Sequence, residues 1–483
     1  MPLPSRDLAA TATSTAVHTG SAPGPNPEDL PELRERALAV LLDASLAHVV
    51  DLVAWRDDAL VHVADADGHS VLTRAGETRV LSGRDPVADT DPLSETGYPF
   101  AAERLHELFD EARAPDLAVV HTGAHHWPDK GGHLGEHGSL NGLQSRAPLL
   151  LSGAGVDPRG VVPGVARTVD VAATLTHLCG GDRGGMQGRP LELARPGAAH
   201  VVGLLWDGAP CATLLARAAD GTLPNVARLL ARGCALSGGA IAAFPSVTLV
   251  NHTSALTGVG PGAHGIVNNA YFDRESGEQV IANSSASWHH AMQWLRPGVR
   301  TVFERLPAGA DSACIDEPAD RGATYSTFAL VREGGSGTGE LAAGLPPAAG
   351  DAHATQEHVA ADADYAWGTQ IDAIGLEQVL GLWREAVPPR LTWWNTTLTD
   401  GGHHAGGPGS AIATASLVDA DRRLGVWLDL LDERGLTDDT VVLLTADHGM
   451  QGADPACTGD WDEPLRAAGI PFRDQAYGFL YLG

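Results

Sequence analysis

Apolar and polar positions along the chain alternate between helical and strand-like periods. Leu38, Leu41, Leu42 and Leu46 recur at helical spacing, which predicts a helix over 31 to about 46. Two short apolar runs, 49–55 and 59–64, flank Arg56-Asp57-Asp58 and read as a hairpin. A helix is expected over about 101–112, and a buried strand follows at 116–121. A strand at 147–152 and a helix at 169–178, stopped by Gly180-Gly181, come next. The second half continues with strands at 200–206, 390–395 and 440–446 and helices near 223–231 and 411–434. It ends in a short strand over 478–482. Strands alternating with helices predict an α/β sandwich with a mainly parallel sheet.

The 483 residues suffice for a large core, and 43% are hydrophobic, an ordinary value for a globular protein. Residues 1–30 are rich in Ala, Thr, Ser, Pro and Gly and are expected to be a disordered tail. The run beginning Gly334-Gly-Ser-Gly-Thr-Gly is expected to be flexible. Asp and Glu number 60 against 32 Lys and Arg, a formal net charge of -28. Such a surface repels nucleic-acid backbone and anionic lipid, so no nucleic-acid polymer and no membrane partner is expected. A small phosphorylated substrate remains compatible if cations screen its charge locally. Five scattered cysteines without a CxxC argue against a disulfide framework or a Cys-based zinc site. With no basic n-region before an apolar core at the start, and no spanning apolar run, the expected compartment is the cytoplasm.

The chemistry-bearing residues change this picture most. Phe244-Pro-Ser-Val-Thr248 precedes an apolar run that can begin a helix. Asn251-His252, Thr257-Gly258 and Asn268-Asn269 follow. A hydroxyl at a helix N-terminus sits beside free N–H groups and the positive end of the dipole, where phosphate is welcome. Asp207 follows one strand. Asp400 and His404 lie in a loop after another, four positions apart, and Asp447-His448 follow a third. In open α/β sheets, functional groups collect at the carboxyl ends of strands. His nitrogen and carboxylate oxygen are zinc donors, though each position alone also fits a cap or an ordinary turn.

The order Asp207, Thr248, Asp400/His404, Asp447/His448 resembles that of type I phosphodiesterases and nucleotide pyrophosphatases, in the alkaline-phosphatase superfamily, over roughly 198–483. The resemblance implies a three-layer α/β/α sandwich plus a small cap insertion. It makes Thr248 the nucleophile and gives Asn269, twenty-one positions later, a phosphoryl oxygen to hold. It implies two zinc ions, with manganese or iron ranking behind. One would be held by Asp207, Thr248, Asp447 and His448, the other by Asp400, His404 and a histidine from a Gly-x-His-Gly motif near the C-terminus. This chain ends at Gly483 without that motif, but Gly135-Glu-His137-Gly-Ser139 has its form. The segments after it also resemble the superfamily's closing section. Circular permutation is therefore expected: 31–195 is the C-terminal-type part carrying His137, and 196–273 with 365–483 is the remainder. Residues 274–364 would be the cap, and the old termini would be joined near 181–198. The competing expectation is an unrelated N-terminal domain with a His-rich loop.

One departure is His403, which stands where the family commonly has glycine. It is expected to be a bystander or to lie behind the ligands. His125, His126 and His133 are expected in loop or supporting roles, His252 and His264 to support the turn by hydrogen bonds, and Trp288, His289 and His290 to pack in a cap helix. The implied function is hydrolysis of phosphodiester or nucleotide pyrophosphate bonds through a phosphothreonine. A phosphonate (phosphonoacetate-like) or phosphomonoester hydrolase with the same site is the alternative, although the motifs offer no extra Arg or Lys for a third phosphoryl charge. A sulfatase is disfavoured, because no Cys/Ser-x-Pro-x-Arg motif is present. A non-catalytic metal-binding protein ranks last. Oligomeric state is not assigned.

Overall fold

A computed structural model describes residues 30–127, 132–284, 286–334 and 363–483. The tail expected over 1–30 lies outside them up to residue 29, as does the glycine-rich run beyond Gly334. The chain is a mixed α/β protein with several sheets. Eight strands form the central sheet, in the order Tyr325–Ser326, Ser312–Ile315, Leu391–Thr396, His200–Trp206, Thr440–Thr445, Leu149–Gly153, Gly233–Leu236, Gly160–Val162. The first five pair in parallel. Leu149–Gly153 runs antiparallel to both neighbours, and Gly160–Val162 is parallel to Gly233–Leu236.

Strand residues alternate between two apolar clusters, as the pleat requires. Val202, Leu204 and Trp206 face one cluster, which helices Cys211–Ala219, Pro224–Ala231, Ala363–Arg384 and Ala411–Arg434 complete. Val201 and Leu205 face the other, completed by Val169–Cys179 and Thr248–Thr257. Because five neighbouring strands are parallel, their carboxyl ends share one edge, and Asp207, Asp316, Asp400 and Asp447 all follow such ends.

A second, seven-stranded sheet is antiparallel throughout. It contains the expected hairpin, Val50–Asp57 with Leu60–Asp65, and joins Leu117–His121 to the last strand, Phe479–Leu482. Its apolar face packs with helix Ala101–Phe109 and with Phe244, Leu249, Ile266 and Val267, so it buttresses the segment around Thr248. Strands of the first 195 residues thus pair with strands of the second half in both sheets: Leu149–Gly153 lies between Thr440–Thr445 and Gly233–Leu236, and Leu117–His121 pairs with Phe479–Leu482.

Three local expectations change. The helix expected to reach 46 stops at Leu41, and a separate 3-10 turn, Ala44–Leu46, is capped by Asp43 through the Ser45 amide at 2.9 Å. Residues 274–364 are not all cap, because Ser312–Ile315 and Tyr325–Ser326 extend the central sheet. Asp400 and His404 lie not in a loop but on a helix, Leu398–Gly406. Its two interior glycines disfavour that helix by propensity, yet the buried Asp372 accepts hydrogen bonds from the Thr397 and Leu398 amides at 2.8 and 3.2 Å and caps it. Gly402 also lets helix Ala411–Arg434 pack close, since a Cβ there would meet Ser416 at 2.5 Å.

Candidate active site

Thr248 opens helix Thr248–Thr257 and is buried. Asn251 fixes the turn ahead of it. Its Oδ1 accepts from the Ala243 amide at 2.7 Å, and its Nδ2 donates to the carbonyls of Pro245 and Val247. His264 lies further along, accepting from the Ile266 amide and sitting 3.0 Å from the Ser254 hydroxyl within the helix. Asn269 Oδ1 accepts from the Leu249 amide at 3.0 Å. That bond leaves the Asn269 Nδ2 group as the end that can donate elsewhere. It also occupies the Leu249 amide, one of the N–H groups at the start of this helix.

Two clusters of donors flank this helix start. In the inner one, His448 Nε2 lies 3.1 Å from Asp447 Oδ2 and 3.8 Å from Asp207 Oδ1. In the outer one, His404 Nε2 lies 3.3 Å from Asp400 Oδ2 and 3.2 Å from His137 Nε2, which is 4.0 Å from Asp400 Oδ1. The stacked rings of His137 and His448, 3.8 Å apart, join the two clusters. Gly208 makes the junction fit. Its φ is +65°, its amide donates to Asp447 Oδ1 at 3.1 Å, and a Cβ there would lie 2.6 Å from Asp400 Oδ1.

Among the described residues, Asp207 Oδ1, Asp400 Oδ1, Asp447 Oδ2 and His448 Nε2 are buried polar atoms without a hydrogen-bond partner. Such atoms are costly unless something else satisfies them. The same histidines have their other ring nitrogen engaged. The Nδ1–H groups of His137, His404 and His448 donate to the carbonyls of Ser246, Gly135 and Gly449 at 2.9, 2.7 and 2.9 Å. Each Nε2 is thereby left to face its cluster, the usual arrangement of a metal-ligating histidine. The donor set fits divalent cations.

Electrostatics differ between the clusters. Burial, reinforced by the charges of Asp447 and Asp400, raises Asp207 well above the usual carboxylate range. Burial works against ionising Asp400 too, but His404, His137 and His448 hold it well below that range. Burial opposes charge on His404, yet the charge and hydrogen bond of Asp400 lift it to about 10. His137 is pushed well below its ordinary value by burial and by His448 and His404.

His403 points away, its Nδ1–H donating to the Thr399 carbonyl within its own helix. His125 stacks on Trp127 with centroids 3.9 Å apart. His133 lies against the outer cluster, 3.6 Å from Glu136 and with its ring 4.1 Å from that of His404. Trp288 packs with Phe328 and Val331 in a 3-10 helix, Trp288–Trp294. His252 does not support the turn as expected. Its Nδ1 meets Glu317 Oε2 at 2.8 Å, and its Nε2 lies 3.5 Å from Asp207 Oδ2 and 3.6 Å from Asp447 Oδ2. Burial disfavours its cation, but Glu317, Asp207 and Asp447 raise its pKa well above the ordinary value. Tyr477, in a left-handed conformation with φ 55°, brings its hydroxyl to 3.5 Å from His137 Nε2. The sequence gives no signal for Tyr477 or Glu317. For His252 the signal was its spacing of four from Thr248, which is also the spacing of His404 from Asp400.

The type I phosphodiesterase/nucleotide pyrophosphatase family model matches residues 201–481. Similar solved structures include murine ectonucleotide pyrophosphatase/phosphodiesterase 5, with 18% identity and a TM-score of 0.37 over 57% of this chain and 64% of that one. An inactive form of the murine protein in complex with AMP gives 18%, 0.35, 57% and 64%. Phosphonoacetate hydrolase from Sinorhizobium meliloti 1021 in complex with phosphonoformate gives 23%, 0.36, 55% and 59%. This chain thus spans less than two thirds of each of those chains. No helix among the described residues is long and apolar enough to cross a membrane.

Proposed function

The chain belongs to the type I phosphodiesterase/nucleotide pyrophosphatase family, and from that premise we propose that it hydrolyses phosphodiester or nucleotide pyrophosphate bonds through a phosphothreonine on Thr248. The observation that carries this reading is the two clusters of donors beside the helix that starts at Thr248, in which Asp207 Oδ1, Asp400 Oδ1, Asp447 Oδ2 and His448 Nε2 have no hydrogen-bond partner among the described residues. Asp207, Thr248, Asp447 and His448 would hold one cation, and Asp400, His404 and His137 the other. Zinc suits these donors best, with manganese or iron second. Two such cations, when bound, lower the pKa of a hydroxyl or water and stabilise charge on phosphoryl oxygens.

The remaining work falls to the chain itself. Thr248 Oγ attacks phosphorus, an O–P bond forms, and the bond to the leaving alkoxide or phosphate breaks. Water then displaces Thr248 and releases the phosphorylated product. Asn269 Nδ2 and the Thr248 amide, at the positive end of the helix dipole, donate to a non-bridging oxygen as charge develops. The fold that goes with this reading is a three-layer sandwich on a mainly parallel sheet, circularly permuted. Two features favour the permutation. His137, from the first part, meets Asp400 and His404 from the second. Helix Leu30–Leu41 shares an apolar cluster with Leu480 and Leu482, so the first and last described elements of the two parts pack together.

The test is a substrate comparison on zinc-loaded protein. Bis(p-nitrophenyl) phosphate and a nucleotide diester should be cleaved faster than p-nitrophenyl phosphate or phosphonoacetate, and the reverse order would move the assignment to the alternative. Thr248→Ala should lower turnover by about 10⁴-fold or more with zinc content unchanged. Full activity in that variant would remove Thr248 as nucleophile.

A further inference from the structure

Four donor groups, not three, close around the inner cluster. Going round it, His252 Nε2 is 3.5 Å from Asp207 Oδ2, and Asp207 Oδ1 is 3.8 Å from His448 Nε2. His448 Nε2 is 3.1 Å from Asp447 Oδ2, which is 3.6 Å from His252 Nε2. Nitrogen and oxygen alternate, and the edges bracket the roughly 3.4 Å that separates two donors at about 2.1 Å from one tetrahedral zinc. Hydrogen bonds to these oxygens would bring the nitrogen to about 2.8–3.0 Å, which His252 does not approach.

His252 also shares the histidine pattern of this site. Its ring is fully buried, its Nδ1 is engaged by Glu317, and its Nε2 has no hydrogen-bond partner among the described residues. Glu317 is itself anchored, accepting from Trp393 Nε1 and from the Ala319 amide, both at 2.9 Å. A carboxylate holding the far nitrogen of an imidazole is the arrangement that orients metal-binding histidines. Helix Thr248–Thr257 then serves the cluster twice, because Thr248 and His252 are one turn apart on the same face.

We propose that His252, oriented by Glu317, is a further ligand of the inner metal, giving that site two imidazoles and two carboxylates besides Thr248. This rests on the two-metal reading above, and the experiment separates the two. His404→Ala, which disables the outer cluster, is loaded with one equivalent of cobalt(II), and the strongly shifted exchangeable imidazole N–H resonances are counted by proton NMR. Two are expected, from His448 and His252. His252→Gln should leave one and weaken inner cobalt binding by more than about 100-fold, while Glu317→Gln should weaken it by about 10–100-fold. A single shifted resonance in the His404→Ala protein with cobalt bound would overturn the proposal and leave the two-metal reading standing. Unchanged affinity in His252→Gln would do the same. Failure of the wild-type protein to bind cobalt or zinc at all would overturn both. The resonance count in His404→Ala does not depend on whether the His252 variant folds.

Discussion

The inner and outer clusters are made of similar side chains but are built and balanced differently. The side chains of His252, Asp447 and His448 are fully buried and that of Asp207 is 4% exposed, whereas Asp400 and His404 are 21% and 14% exposed. Inner carboxylates come from the ends of two paired parallel strands, whose register holds them side by side. The outer carboxylate and histidine come from one turn of a short helix and are completed by His137 from far away in the chain. Inside, burial first and then the charges of Asp447 and Asp400 raise Asp207. Outside, Asp400 and His404 are a complementary pair, one pushed down and the other raised to about 10. Strand ends thus hold a charge-dense site rigidly at an energetic cost, while the helix turn holds a self-neutralising one near solvent.

The largest expected effect tests whether both clusters serve one reaction. Asp400→Ala should release one of two zinc ions and slow diester hydrolysis by about 10³-fold or more, roughly 4 kcal/mol at 1.36 kcal/mol per decade. Atomic absorption and steady-state rates check it. A variant with one zinc and near-normal turnover would separate the outer cluster from the chemistry. Next in size is the order of metal loss. Against a chromophoric chelator, zinc should leave in two phases of about one equivalent each, the faster at least about 10-fold ahead, because the outer donors open to water without unfolding the core. If His137→Ala removes the slow phase rather than the fast one, the assignment of inner and outer is reversed. The smallest effect is a sign. In metal-free protein, Asp447→Asn relieves buried carboxylate repulsion and should raise Tm, while Asp400→Asn breaks a favourable pair and should lower it, each by about 1–4 °C. Thermal melts in chelator read both, and shifts of the same sign would erase the electrostatic contrast.

Much of this was legible in the sequence because it depends on local pattern. Long apolar runs at 200–206 and 440–445 predicted the central strands, and the residues after them, Asp207 and Asp447, were placed at the sheet's carboxyl edge by the same pattern. Helix Ala411–Arg434 and the hairpin beginning at Val50 also appear where periodicity predicts them. The helix holding Asp400 was missed because two glycines speak against it locally, and its support, Asp372, comes from another helix. Ser312–Ile315 was missed because four residues carry little periodic signal, yet that strand delivers Glu317 to His252.

The sequence by itself therefore determined the α/β character, the candidate nucleophile Thr248, and the candidate donors Asp207, Asp400, His404, Asp447, His448 and His137. The α/β character and the donors at strand ends follow from residue type, short spacing and apolar runs, while Thr248 as nucleophile and His137 as donor follow from the family resemblance of short motifs, all local quantities. Only the tertiary structure decided how far apart the donors sit, that His137 reaches across the chain to His404, and that His252 faces Asp207 and Asp447. Such distances depend on sheet order, strand register and helix packing, which join residues hundreds of positions apart and leave no mark in any short stretch of sequence.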